Sequence, residues 1–453
     1  MASYKRLLAV AAATSLMLGG IAACSEPNSA TDDGTVEGRV YLLTWHPEQE
    51  EALKNIADVY TAETGVDVKI VTATADAYEQ TLRTEMSKSE PPTIFQLDGP
   101  VDLASWQDYT LDISDMELTG LLVDENFALK DDDGKVYGIP AAIDGYGIIY
   151  NDAIMRTYFE TEDAVVASMD EVNNFATLQA VVEDMQSKAD ELGIEGVFSA
   201  TSLSPGEEWR WQAHLSNIAI FYEYQDDNVT DKQEIAFSYN ENFRNIFNLY
   251  LNNSTVERAQ ASSKTVTDSM TEFATGQSAM VQNGNWAWDQ IAEVEGSIVL
   301  EEDIKFLPIY IGVEGEENQG LAVGAEAFMA VNSQVDKDDQ QASIDFLNWL
   351  YTSDEGKELV LNDLGYLAPY TSFAQDEVPA NPLVAEIQRY LADEDKYVVP
   401  WVFNTYPSEF FKAEFAQALT EYVSGAMEWD GVVALFVEEW AAEKQLNAQY
   451  DAE

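Results

Sequence analysis

Apolar residues run together near residue 40 and alternate with polar ones near residue 70, and between these stretches they recur every three or four positions. RVYLLT (39–44) reads as a strand. Leu53, Ile56, Ala57 and Tyr60 then share one helical face, and Gly65 stops the helix. Val66, Val68 and Ile70 alternate as a second strand. A helix is predicted over about 77–88, and TIFQL (93–97) is a third strand. This strand–helix order implies a parallel sheet with helices on its faces, an α/β fold. DDDG (131–134) marks a turn, and 145–150 is again strand-like. A strong helix is predicted over about 175–192, with Leu178, Val181, Val182, Met185 and Leu192 inward and Gly193 as its stop. The region 205–290 is richer in helix signals and aromatics. Strands are predicted at 306–311 and 327–331, and helices at about 339–352, 408–424 and 430–445.

The first residues follow another pattern. Lys5 and Arg6 precede the apolar run LLAVAAATSLMLGGIAA, which ends at Cys24. That is the layout of a signal peptide (1–23). Ile21-Ala22-Ala23-Cys24 fits the bacterial lipoprotein pattern of aliphatic, small, small, Cys. The thiol is the nucleophile that takes a diacylglyceryl group, so Cys24 is the expected lipidation site. The alternative is an uncleaved anchor, since the run approaches the roughly 17–25 residues that span a bilayer. Residues 24–37 read as a flexible, lipid-anchored tether. Cys24 is the only cysteine in 453 residues, which leaves no intramolecular disulfide. The rest of the chain is too long for one ordinary core, so at least two lobes are expected.

Charge narrows the partners. There are 82 acidic residues against 23 basic ones, a formal net charge of −59. Nucleic-acid binding needs clustered Lys and Arg and is excluded as a function class. The same field repels anionic lipid and anionic solutes. Catalytic and metal motifs fail on inspection. The two histidines, His46 and His214, lie in different regions and form no HExxH. The acidic run at Asp131 and Asp133 is not a calcium loop, because Leu129 and Pro140 hold its first and twelfth positions. GQSAM (276–280) lacks the second glycine of a nucleophile elbow, and no GxxxxGK phosphate loop exists. No metal, cofactor or catalytic residue is expected.

Three segments together carry a resemblance. DGKVYGIPAAIDGYGIIYND (133–152), FATGQSAMVQNGNWAWDQI (273–291) and ASIDFLNWLYTSDEGKELVLNDLGYLAPY (342–370) resemble, in order and spacing, the signatures of family 1 extracellular solute-binding proteins of ABC importers. That group contains the maltodextrin-binding proteins. The resemblance implies a two-lobe, hinge-linked α/β fold of the periplasmic-binding-protein type with three crossovers. By position these fall near 141–146, 320–326 and 362–369. Lobe one is then 38–142 plus 325–363, and lobe two is 146–321 plus 368–453. It further implies a monomer held by Cys24 on the extracellular face of the cell membrane, which captures a carbohydrate and delivers it to permease subunits.

A pyranose has an apolar C–H face, which a flat ring covers, and a rim of hydroxyls, which carboxylates and amides satisfy. Trp286 matches the family position that stacks on sugar, with Asn283, Asn285 and Trp288 beside it. Asp144 matches the acidic hydrogen-bonding position at the first crossover. Trp45, His46 and Glu48 follow the first strand directly and are expected at the cleft. Asp98 follows the third strand, and Leu97 stands where maltodextrin binders carry a tryptophan. Trp209, Trp211 and His214 form a second aromatic cluster, of which Trp211 is the expected contact. Gly324 and Glu326 sit at the second crossover, and Phe403, Asn404 and Tyr406 in a Pro-bounded loop. Each ring has a plain alternative as core packing, and Asp144 as a solvated hinge residue. Arg210 is the one Arg or Lys in these segments, so the expected ligand is a neutral sugar, most simply an oligosaccharide. The rival readings are a surface glycosidase, a structural or adhesive lipoprotein, and a binder of peptides or polyols.

Overall fold

The structure, a computed structural model, describes residues 38–450 apart from Asp132 and Gln375. The expected signal peptide, Cys24 and nearly all of the tether lie outside these residues. No helix among the described residues is long and apolar enough to cross a membrane.

Ten strands form one curled sheet: β1 (Arg39–Thr44), β2 (Asp67–Thr72), β3 (Ile94–Leu97), β4 (Leu129–Lys130), β5 (Val136–Asn151), β6 (Gly196–Phe198), β7 (Ser278–Gly284), β8 (Ile304–Leu307), β9 (Gln319–Val331) and β10 (Tyr397–Val399). The main order is β2-β1-β3-β9-β5-β7-β6, with β10 on β9 and both β4 and β8 on β5. β1 runs parallel to β2 and β3, as the alternating strand and helix signals require. β9 is antiparallel to β3 and β5, and β7 is antiparallel to β5.

The first helix, Glu50–Thr64, buries Leu53, Ile56, Ala57 and Tyr60 and ends on Gly65 at φ 80°, where the Gly65 N–H reaches the Thr61 carbonyl. A side chain at that left-handed position would be strained. The helix predicted over 175–192 is two pieces, Phe175–Ser187 and Ala189–Leu192, because Lys188 leaves helical geometry at ψ 12°. The strand predicted at 306–311 is Ile304–Leu307, and the last helix, Trp429–Tyr450, outruns its predicted end.

β5 and β9 are far longer than the strands read from the sequence, and together they join the two halves of the sheet. One apolar core packs Val40, Leu42, Ile56, Ile94 and Met329 with Phe346 and Leu350; another packs Tyr146, Ile148 and Phe198 with Phe243, Phe415 and Trp440. β5 is buried on both faces except at Tyr137 and Asp144, so the cover opens at Asp144. Ile143 pairs with Ala325 in β9, and its N–H reaches the Leu367 carbonyl at 2.8 Å. The three segments where crossovers were expected are therefore hydrogen-bonded neighbours.

Candidate functional site

The register locates the site. β3 ends at Leu97, opposite Phe328 of β9, and Phe328 also faces Pro140 of β5. β7 ends at Gly284, opposite Tyr146 of β5. β3 and β7 point toward each other, so their carboxyl ends meet across residues 141–145. Loops leaving the carboxyl ends of strands are where open α/β sheets hold ligands. Trp45 follows β1, Asp98 follows β3, and Asn285 with Trp286 follows β7.

Asp144 and Asn285 form the polar centre. The Asn285 Nδ2 donates to Asp144 Oδ1 at 2.7 Å, and its Oδ1 accepts from the Gly145 N–H at 2.9 Å. The Asn285 N–H donates to the Gly145 carbonyl, and its own carbonyl accepts from Asn381 Nδ2. Asn285 is thus fixed on every side, and it aims the carboxylate. Burial raises the Asp144 pKa, while the Asn285 bond and the nearby His46 oppose that. Trp45 is half-buried, edge-on to Tyr78 at 5.0 Å, and its N–H donates to Gln96 Oε1. Glu48 lies in the single turn Pro47–Gln49, and Glu326 in β9 opposite Ala142. The side chains of both fall outside what the structure describes.

An aromatic wall stands on the β7 side. The half-buried Trp286 ring lies 6.1 Å from Trp209, 5.6 Å from His214 and 6.4 Å from Trp401. His214 stacks on Tyr146 at 4.3 Å, and Phe403 closes the group 5.2 Å from Trp401 and 5.3 Å from His214. Burial first, then the charges of Arg210 and Lys412, pull the His214 pKa down to about 3, so the imidazole is neutral. Two glycines make room. A Cβ on Gly284 would overlap the Trp286 ring, and one on Gly324 would overlap Trp401. Gly324 therefore admits an indole where close approach of the ligand was the expectation.

Some expected contacts go elsewhere. Trp211 is an interior residue, not a wall: its Nε1–H donates to the Ser202 carbonyl at 2.9 Å, and its ring packs on Phe247 and Tyr250. Trp288 packs into a separate core with Phe273 and Ile291, away from the Trp286 cluster. Asn283 is buried against Met270. The two tryptophans share a reason. Trp209 and Trp211, like Trp286 and Trp288, stand two residues apart on helical turns, which places them on opposite faces. Asp98, expected as an orphan polar contact, has partners. Its N–H donates to Asp102 Oδ2 at 2.9 Å, and its Oδ2 lies 3.4 Å from Lys412 Nζ. Asn404 reaches the Ala325 carbonyl with Nδ2. Trp401, Lys412 and Asn381 were missed by sequence reasoning. Trp401 carried a signal in its Pro-bounded loop; the other two carried none. Among the described residues, no group of His, Cys, Asp and Glu is arranged to hold a metal ion.

Residues 55–386, well over half the chain, match the family model described as bacterial extracellular solute-binding protein. No curated relative matches. Among solved structures, a chitin oligosaccharide binding protein aligns with a TM-score of 0.68 at 17% identity, over 92% of this chain and 100% of its own. A solute-binding protein, RafE, in complex with raffinose aligns at 0.67 and 16%, over 90% and 99%. A putative binding protein from Bacillus subtilis in an open conformation aligns at 0.69 and 14%, over 91% and 99%. The shared fold is the two-lobe α/β architecture of binding proteins.

Proposed function

Because the chain belongs to the bacterial extracellular solute-binding proteins, we propose that it is the sugar receptor of an ABC importer, closing its two lobes on an oligosaccharide. It is a binding protein and not an enzyme. The observation that carries the sugar reading is the ring cluster of Trp209, His214, Trp286, Trp401 and Phe403 beside the fixed Asp144–Asn285 pair, at facing strand ends. Flat rings bury the C–H face of a pyranose without demanding a hydrogen bond, and the carboxylate and amide answer its hydroxyls. The likeness to a chitin oligosaccharide binder and a raffinose complex supports the same class.

In this reading Asp144, Asn285, Trp286, Trp45, His46, Asp98 and Asn404 are the contact set, and Glu48 and Glu326 join it from the lobe-one side. Lobe one is 38–142 plus 325–363, and lobe two is 146–321 plus 368–453. Ligand binding selects the closed form, which docks on permease subunits. The chain acts as a monomer, held on the outer face of the cell membrane by acylated Cys24. Thermal denaturation against a panel of oligosaccharides tests the proposal. A true ligand at about 100 times its Kd adds about 2.7 kcal/mol of stability and is recovered intact afterwards. A panel that shifts nothing, while a peptide or polyol does, replaces the reading.

A further inference from the structure

Arg210 opens the helical stretch Arg210–Leu215, and its side chain is 0% exposed. Nε, Nη1 and Nη2 all lack a hydrogen-bond acceptor on the protein. The guanidinium sits between two indoles, with Cζ 5.5 Å from the Trp209 ring centre and 5.7 Å from that of Trp211. Burial lowers its pKa to about 10, with Glu207 acting the other way, so it remains a cation at neutral pH. An enclosed, unpaired guanidinium is costly, and a native structure that keeps one calls for a reason.

Its surroundings sharpen the question. The backbone carbonyl of Arg210 accepts from Gln282 Nε2 at 2.7 Å, which leaves Gln282 Oε1 buried and unpaired, as is Thr201 Oγ1. Gln282 lies near the carboxyl end of β7 and Thr201 just past that of β6, and these two strands are parallel. The group therefore belongs to the end of the sheet that forms the aromatic wall, and its charge is felt at His214. Other enclosed cations are treated differently. Lys412 pairs with Glu409 at 2.6 Å and with Asp98, and Lys444 pairs with Asp231 at 2.7 Å. The chain has 82 acids, yet among the described residues none bonds to the Arg210 guanidinium.

We propose that Arg210 is an anion subsite of the sugar cleft, its planar fork receiving a carboxylate carried by the ligand, with Gln282 answering an adjacent hydroxyl. The ligand class is then an oligosaccharide containing a sugar acid, where a wholly neutral sugar was expected. A guanidinium fork matches a carboxylate bidentately, which favours this anion over a hydroxyl rim alone. The negative surface opposes such a ligand only at long range, where salt screens it within about 8 Å, while the guanidinium acts at contact. Arg210 is enclosed in this form, so the anion reaches it only in a form that uncovers the guanidinium. The inference rests on the sugar-binding reading.

The test is calorimetric titration with uronate-bearing oligosaccharides and with the same oligosaccharides after reduction of the carboxyl to an alcohol, on the wild type and Arg210→Met. The wild type should prefer the uronate form at least tenfold. R210M should lose that preference, keep its affinity for the reduced form, and unfold at the same or a higher temperature without ligand. Equal binding of both forms by the wild type overturns the subsite while the sugar reading stands. So does a preference retained in R210M, or a ligand-free R210M that melts lower, since a merely structural arginine would be missed. If neither sugar form binds the wild type, the sugar reading fails and the subsite with it.

Discussion

The two walls of the site are built differently. On the β7 side six rings pack together, and the polar pair beside them is held by hydrogen bonds from Asn285 to Asp144 and from Gly145 to Asn285. On the β1–β3 side one indole, Trp45, leans on Tyr78, and the other contributors are short polar or imidazole groups, His46 and Asp98. Rings that brace each other lose little freedom when a ligand arrives, so the β7 side is the preorganised platform. On the proposed reading, the opposite side is a polar lid that adds contacts on closure. The largest test of this asymmetry compares Trp286→Ala with Trp288→Ala. W286A should weaken sugar binding by about 2 kcal/mol or more, roughly thirty-fold in Kd, with a modest stability cost. W288A should do the reverse: near-normal Kd, and a loss of stability on the order of 2 kcal/mol. Titration and denaturant melts on both variants read the split, and equal losses of affinity would erase the platform.

The same two tryptophans show what sequence can and cannot say. The strands β1, β2 and β3, the helix between β1 and β2 and its glycine stop were legible, because apolar period and turn chemistry are local. The resemblance put Asp144 at the first crossover and Asn285 beside Trp286 without pairing them; the register brings them together, since β5 pairs with β7 up to Gly284 opposite Tyr146. In one pair the resemblance singled out Trp286, but in the other the expected contact was Trp211, which is the interior member. WRW and WAW look like alternation, but both motifs fold as helical turns, so one indole of each pair goes inward. Lys412 was out of reach for another reason: it meets Asp98 across 314 positions of chain, and nothing in a single sequence marks so distant a pair.

That distant pair gives a second test, of intermediate size. Lys412 lies on the helix Glu409–Ser424, and Asp98 follows β3, so their contact joins the lid side to the platform side. Burial pulls the Lys412 pKa down, but Glu409 and Asp98 more than offset this and hold it above the usual range. Lys412→Met keeps the stem and removes the charge. If the pair favours closure, the variant should bind sugar about three- to tenfold more weakly, and W286A should lose proportionately as much in that background as in the wild type. Small-angle scattering of ligand-free K412M should show a larger radius of gyration. An unchanged radius with unchanged affinity would leave the pair a local ion pair with no part in closure.

The smallest effect concerns Asp102, in the first turn of the helix Pro100–Trp106. Burial, then the neighbouring Asp98 charge, raise its pKa to about 6, against an accepted hydrogen bond from the Asp98 N–H and the pull of Lys412. A carboxyl whose folded pKa lies above its unfolded value of about 4 binds protons more tightly in the folded state. Its contribution favours the fold below about pH 4 and is lost as pH rises through 6. Above that, ionised Asp102 costs stability beside Asp98. Asp102→Asn keeps an oxygen for the Asp98 N–H and removes the charge. It should raise stability at pH 7 by on the order of 1 kcal/mol, the full shift being discounted for partial exposure. It should also flatten the fall in stability between about pH 4 and pH 6. The lid side thus carries a carboxyl that titrates within this window, whereas His214 in the ring platform stays neutral through most of it. If stability across that window falls as steeply in D102N as in the wild type, the titrating group lies elsewhere and the lid loses its claim to be the pH-sensitive half.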